Sequence, residues 1–219
     1  MENCILRGRG RAVWAQNAIP FDLTASNVLV ASAAPFVDSE APLKPTPAGP
    51  VAVLQLSHVT AWLGGGLLEM HCGKAIDEKP APFVPVEIRT DNCLFVHPES
   101  GAAPAPFALV SGGDPSQWDR YLTWTATGES VFSNFPKTGT VMMEVTSDEP
   151  AVKAKRLDIA GWLTHTMEKP TAFGPVEFAR PPDNSAALAQ IRPEDAVITK
   201  SDFPAPIGCR IKSLPKPRR

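Results

Sequence analysis

The sequence lacks any run of about 18 apolar residues, so no membrane-spanning helix is expected. Its opening, Met1-Glu2-Asn3-Cys4-Ile5-Leu6-Arg7, has no basic start leading into an apolar stretch. No signal peptide is visible, and the compartment stays unassigned. Charge of one sign is also missing. The 21 basic and 23 acidic residues leave a net charge of −2, too even to argue for nucleic acid or an anionic membrane surface. Cysteine is sparse: Cys4, Cys72, Cys93 and Cys209 form no CxxC pair, and no histidine stands at ligand spacing from them. Buried thiols are expected rather than a disulfide framework or a metal site. Gly64-Gly65-Gly66 is not followed by Lys-Ser/Thr, so it reads as a tight bend rather than a phosphate cradle. No G-x-S-x-G elbow is present, and no cofactor is expected.

Proline, by contrast, is abundant. It supplies 24 of the 219 residues, roughly twice the usual share. Proline cannot sit inside helices or central strands, so the chain should be mostly strand and loop. Hydrophobic residues make up 43% and charged residues 20%, which is enough for a real core.

A theme repeats along the chain. A strand of alternating apolar and polar residues leads to Asn and then to three mostly apolar residues. It appears as Asn3-Cys4-Ile5-Leu6, then as Phe21-Asp22-Leu23-Thr24 leading to Asn27-Val28-Leu29-Val30. It returns as Val86-Glu87-Ile88-Arg89 leading to Asn92-Cys93-Leu94-Phe95. Between them, Leu54-Gln55-Leu56-Ser57-His58-Val59 carries His58 in place of Asn. Proline-rich insertions at 41–50, 77–85 and 98–106 fall between the repeated strands, as loops would. Unequal units of twenty to thirty-odd residues with period-two strands suit stacked parallel rungs. The corner positions Asn3, Asn27, His58 and Asn92 need a left-handed backbone, which Asn tolerates. The fold expected is all-β: a right-handed parallel β-helix, or solenoid, with long Pro-rich loops and little helix. A Pro-rich β-sandwich is the competing reading. One domain over 1–215 is expected, with a frayed basic tail at 216–219. The first unit starts almost at Met1, so an N-terminal cap is expected to be missing. The one helix candidate is 185–191, opened by Asp183-Asn184 and stopped before Pro193.

Three further segments carry a resemblance: Asn92-Cys93-Leu94-Phe95, Phe107-Ala108-Leu109-Val110, and Leu122-Thr123-Trp124-Thr125 with Asn134. Together they resemble the terminal coils of pectate-lyase-like right-handed parallel β-helix domains, found in large bacterial proteins of unassigned function. Some such domains follow a protein kinase, but no glycine-rich loop, His-Arg-Asp or Asp-Phe-Gly occurs here. The resemblance implies a non-catalytic scaffold or interaction module that contacts carbohydrate, or a fragment of a larger protein. The alternative is a polysaccharide-degrading enzyme.

Lyases of that kind use carboxylates to hold calcium and a basic residue to abstract a proton. The candidates are Asp22, Glu87, Arg89 and Asp91. Glu87 and Arg89 alternate with Val86 and Ile88, so a solvated ion pair is the competing reading. Among the tryptophans, Trp118 sits in a polar, turn-rich loop and is the expected exposed sugar platform. The expected partners are a polysaccharide or an upstream domain, with self-association through an uncapped end.

Overall fold

The computed structural model describes residues 1–16, 20–41, 51–73, 83–98, 105–136, 138–166, 171–182, 187–203 and 207–215. Nearly all of the insertion 41–50, most of 77–85, the middle of 98–106, the start of the 185–191 helix candidate and the tail at 216–219 lie outside the described residues.

The described residues are mostly β, with 43% in strands and 15% in helices. The main sheet has nine strands. β1 (Glu2–Gly8) and the long β3 (Asp22–Ser32) begin it. Then come β5 (Ala52–Ser57), β6 (Thr60–Leu63), β8 (Val86–Asp91) and β9 (Cys93–Val96). β11 (Leu122–Ala126), β12 (Ser130–Ser133) and β15 (Thr171–Phe173) complete it. All its pairings are parallel. The second sheet runs β14 (Lys155–Leu157), β13 (Met143–Val145), β10 (Ala108–Ser111), β7 (Leu68–His71), β4 (Val37–Ser39), β2 (Val13–Ala15). It is mixed, because β14 lies antiparallel to β13. β16 (Val176–Phe178) and β17 (Ile198–Ser201) form a separate antiparallel pair.

The repeat fixes the register of the main sheet. Cys4 lies opposite Val28, each directly after its turn Asn. Leu23 lies opposite Leu54, and Leu54 lies opposite Ile88. Residues at the same place in successive units thus stand side by side. The backbone turns between these strands at Asn3, Asn27, His58 and Asn92, whose φ values are 47°, 51°, 51° and 50°. At Asn27 the turn lies inside β3. Residues before it pair with β5 and residues after it pair with β6. The sheet therefore curls as it passes β3. Asn27 Nδ2 donates to Asn3 Oδ1 at 2.6 Å, joining two turns side chain to side chain.

The solenoid expected from the repeat is corrected by this arrangement. The main sheet is a curled parallel half-barrel set beside a mixed sheet, an α/β-like arrangement. The physical reason lies in the second half of each unit. A solenoid wall keeps one face of its strands in water. Here all four residues of β6, of β9 and of β12 are buried. One face packs on the interior, where Val30, Ala61, Phe95 and Phe132 meet. The other carries Leu29, Trp62, Leu94 and Val131, and the C-terminal part of the chain covers it with Val176, Phe178, Leu188, Ile191, Ile207 and Leu214. Parallel sheets covered on both faces read as continuous apolar runs, and Val28-Leu29-Val30 and Cys93-Leu94-Phe95 are such runs.

The covering segment is tied back to the turns. Gly208 N–H donates to the Asn92 carbonyl at 2.8 Å. Cys209 N–H donates to Thr60 Oγ1 at 2.9 Å, and Arg210 N–H donates to Asn27 Oδ1 at 2.5 Å. Arg210 Nη2 lies 3.1 Å from His58 Nε2, which accepts because a guanidinium only donates.

The helix appears elsewhere than expected. α1 is Ile159–Thr166 and buries Trp162, whereas Ala187–Gln190, within the 185–191 candidate, is a 3-10 turn. Trp162 joins an interior aromatic cluster with Phe107 and Trp124. Gly66 holds φ 89°, and a Cβ on Gly65 would lie 2.5 Å from the Ala34 backbone, so the triple glycine forms a close-packed bend. All four cysteines are free thiols. Among the described residues no helix is long and apolar enough to cross a membrane.

Asn27 thus provides a left-handed backbone and two side-chain hydrogen bonds at once. Asn27→Ala should cost about 2–3 kcal/mol, combining the steric penalty of a left-handed alanine with the lost bonds. Asn27→Gly should cost roughly 1 kcal/mol less, because glycine relieves only the backbone term. Urea unfolding of the two variants checks the order.

Candidate functional site

Side chains on a strand alternate between faces, so the outward residues of the mixed sheet form columns across its strands. One column runs through all six strands. Trp14 lies opposite Asp38, and Asp38 opposite Glu69. Glu69 pairs with Leu109, Leu109 with Glu144, and Glu144 with Arg156. The column spans roughly 24 Å at about 4.8 Å per strand. His71 stands two residues from Glu69 on the same strand and therefore on the same face.

The polar end of this column is tightly arranged. Arg11 Nη1 lies 2.7 Å from Asp38 Oδ2. His71 Nε2 lies 3.6 Å from Asp38 Oδ1 and 3.6 Å from Glu69 Oε1. The Asp38 side chain is only 6% exposed, and its Oδ1 has no hydrogen-bond partner among the described residues. Trp14 beside it is 50% exposed, with the Arg11 guanidinium 5.1 Å from its ring centre. At the far end Arg156 Nε donates to Glu144 Oε1 at 2.8 Å.

The candidates read from the sequence lie on the other sheet, where Glu87 pairs with Arg89, Arg89 also feels the Asp22 charge, and Asp91 is held at the turn. Glu87 and Arg89 form a two-bond ion pair at 2.8 Å, which holds the Glu87 carboxyl below its ordinary range. Asp91 is occupied at the turn, where Oδ1 accepts from Asn92 Nδ2 at 2.8 Å and Oδ2 from Ser57 Oγ at 3.1 Å. Asp22 lies opposite Val53, which separates it from Glu87. Among the described residues, the group of three or more potential ligands that comes together is Asp38, Glu69 and His71, with ligand atoms within 4.8 Å of one another.

Trp118, the expected exposed platform, is instead half-buried. His165 packs on it at 4.7 Å between ring centres, and Lys155 Nζ lies 5.5 Å from its ring. Trp14 is the exposed tryptophan. Sequence reasoning passed over the Asp38 group because its residues are far apart in the chain. The signal was the repeat itself: Asp38 and Glu69 are separated by the same interval as Asn27 and His58. Carrying that interval one strand further along places the two carboxylates side by side. Glu69-x-His71 on a strand then adds the imidazole.

A second feature is a cavity of about 560 Å³ beside α1, lined by Phe132, Phe135, Leu163 and Phe173 with Asn134 and Asp158. Its wall is mostly apolar. The thiols offer no nucleophile in the interior: burial pushes Cys72 and Cys93 up to about 12.

Compared with known proteins, the chain matches no family model, no curated protein and no solved structure.

The Glu87–Arg89 pair is exposed, so its worth lies in titration rather than stability. Arg89→Ala should raise the Glu87 pKa toward the ordinary glutamate value and leave the urea midpoint unchanged. The depressed carboxyl means that any stabilisation is present above the unfolded-state pKa and lost as pH falls through the folded one. Side-chain NMR titration of Glu87 in both proteins measures this.

Proposed function

We propose that this chain is a non-catalytic binding module that lays a polysaccharide along the outer face of the mixed sheet. The observation that carries the reading is the half-exposed Trp14 at the end of the column Asp38, Glu69, Leu109, Glu144, Arg156. An indole face offers a flat apolar surface for the C–H face of a sugar ring. The exposed Arg11 guanidinium beside it donates to hydroxyls, and the partly exposed Glu69 further along the column accepts from them, through charge-assisted hydrogen bonds. The strip is regular, because neighbouring strands present equivalent positions at a nearly constant spacing. A linear polymer meets such a strip unit after unit, and multiple weak contacts sum into useful avidity.

The scaffold side of the proposal rests on rigidity. The column stands on strands whose opposite faces are deeply buried, with Val37, Leu68, Met70, Ala108, Val110 and Met143 all at 1% exposure or less. Side chains on such a base keep their spacing without a ligand, which lowers the ordering cost of binding.

Affinity electrophoresis of the chain in gels carrying neutral and acidic polysaccharides tests the proposal. At least one polymer should retard the protein, and Trp14→Ala should abolish most of the retardation while leaving the thermal midpoint unchanged. Equal mobility of both proteins in every polymer would overturn it.

A further inference from the structure

Asp38, Glu69 and His71 make a second kind of site within the column, and this inference stands whether or not a polysaccharide binds. We infer that the three side chains hold a divalent transition-metal ion of the zinc type, through Asp38 Oδ1, Glu69 Oε1 and His71 Nε2.

Three observations support this assignment. The first is donor chemistry. One imidazole nitrogen and two carboxylate oxygens form a mixed N/O set that suits zinc and its neighbours better than calcium or magnesium, which prefer all-oxygen shells. The second is spacing. His71 Nε2 lies 3.6 Å from a carboxylate oxygen on each side. Two ligands about 2.1 Å from a tetrahedral ion stand roughly 3.4 Å apart, so the approach required is small. Direct hydrogen bonds would be shorter, at about 2.7–2.9 Å. The third pair, the Asp38 and Glu69 carboxylate oxygens, lies within 4.8 Å, so the two carboxylates close around the ion as it binds.

The third observation is the state of Asp38. Its side chain is 6% exposed, and Oδ1 is buried without a hydrogen-bond partner among the described residues. A buried, unpaired carboxylate oxygen is costly. Arg11 already takes the other oxygen at 2.7 Å. That contact leaves Oδ1 directed at the imidazole and holds the carboxylate in one orientation, as an outer-shell partner does in a metal site. Glu69 and His71, with side chains 28% and 39% exposed, have room to close on the ion. They also leave a path for the ion to enter, and three protein ligands leave a fourth position open to water or to a ligand oxygen.

The competing account is that His71 is an imidazolium shared between two carboxylates, with no ion. Equilibrium dialysis and calorimetry of the untagged full chain with zinc chloride separate the two. The expected result is one zinc per chain, with affinity lowered about tenfold or more in His71→Gln and in Glu69→Gln. Near-UV circular dichroism should stay native in both. If one variant fails to fold, the other decides. Cobalt in place of zinc should give visible bands without thiolate charge transfer, which excludes the cysteines as the ligands. Two outcomes would overturn the assignment: no uptake at micromolar zinc, or uptake that both variants retain unchanged.

Discussion

A left-handed backbone at one residue per unit is the constraint on which the sheet depends. Asn3, Asn27, His58 and Asn92 each turn the chain between two strand directions. Because each occupies the same place in its unit, the strands that follow pair in register, Cys4 with Val28 and Thr60 with Leu94. A one-residue slip at any turn would send the next strand's apolar residues to the wrong face. The later turn uses a different device. A Cβ on Gly128 would collide with Asp91 Oδ1, so the chain passes the Asn92 turn with no room for a side chain.

From that constraint the two apolar layers follow. The interior layer gathers the inward residues of both sheets and the aromatic cluster around Phe107, Trp124, Phe132 and Trp162. The outer layer lies between the second half of the parallel sheet and the C-terminal segments, with Trp62 against Phe178 at 4.8 Å between ring centres. The mixed sheet keeps its outer face in contact with water. This is the face where Trp14, Asp38, Glu69 and His71 stand, and the first half of the parallel sheet is also open to water, through Gln55, Arg89 and Thr123.

The sequence made the units, their intervals, the turn residues and most strands legible, because period-two alternation and Asn at a fixed place are local signals. It did not make the architecture legible. Asn27-Val28-Leu29-Val30 states that a strand is apolar on both faces but not what lies on the outer one, and the covering residues, such as Ile207 and Leu214, are far along the chain. Helix α1 escaped because Ile159-Ala160-Gly161-Trp162 follows no start signal stronger than Asp158, whose carboxylate accepts from Gly161 N–H at 2.8 Å. The candidate site was missed for a related reason. Glu87, Arg89 and Asp91 are close in sequence and drew attention, yet closeness along a strand produced only an ion pair and a turn contact. Asp38 and Glu69 meet across strands, through hydrogen-bonded register, which no local window contains.

The tie between Arg210 and Asn27 spans 183 residues, and it has a consequence for how the chain reaches its native state. Parallel strands and a late-arriving cover are contacts of long sequence separation, which slow folding. As the chain is synthesised, the strands carrying Leu29, Trp62 and Leu94 emerge well before the residues that shield them. Their outward row is then an exposed apolar surface for as long as translation of the remainder takes. Vectorial synthesis therefore creates an interval of adhesiveness that the finished molecule no longer shows, and the closing contact at Arg210 marks its end.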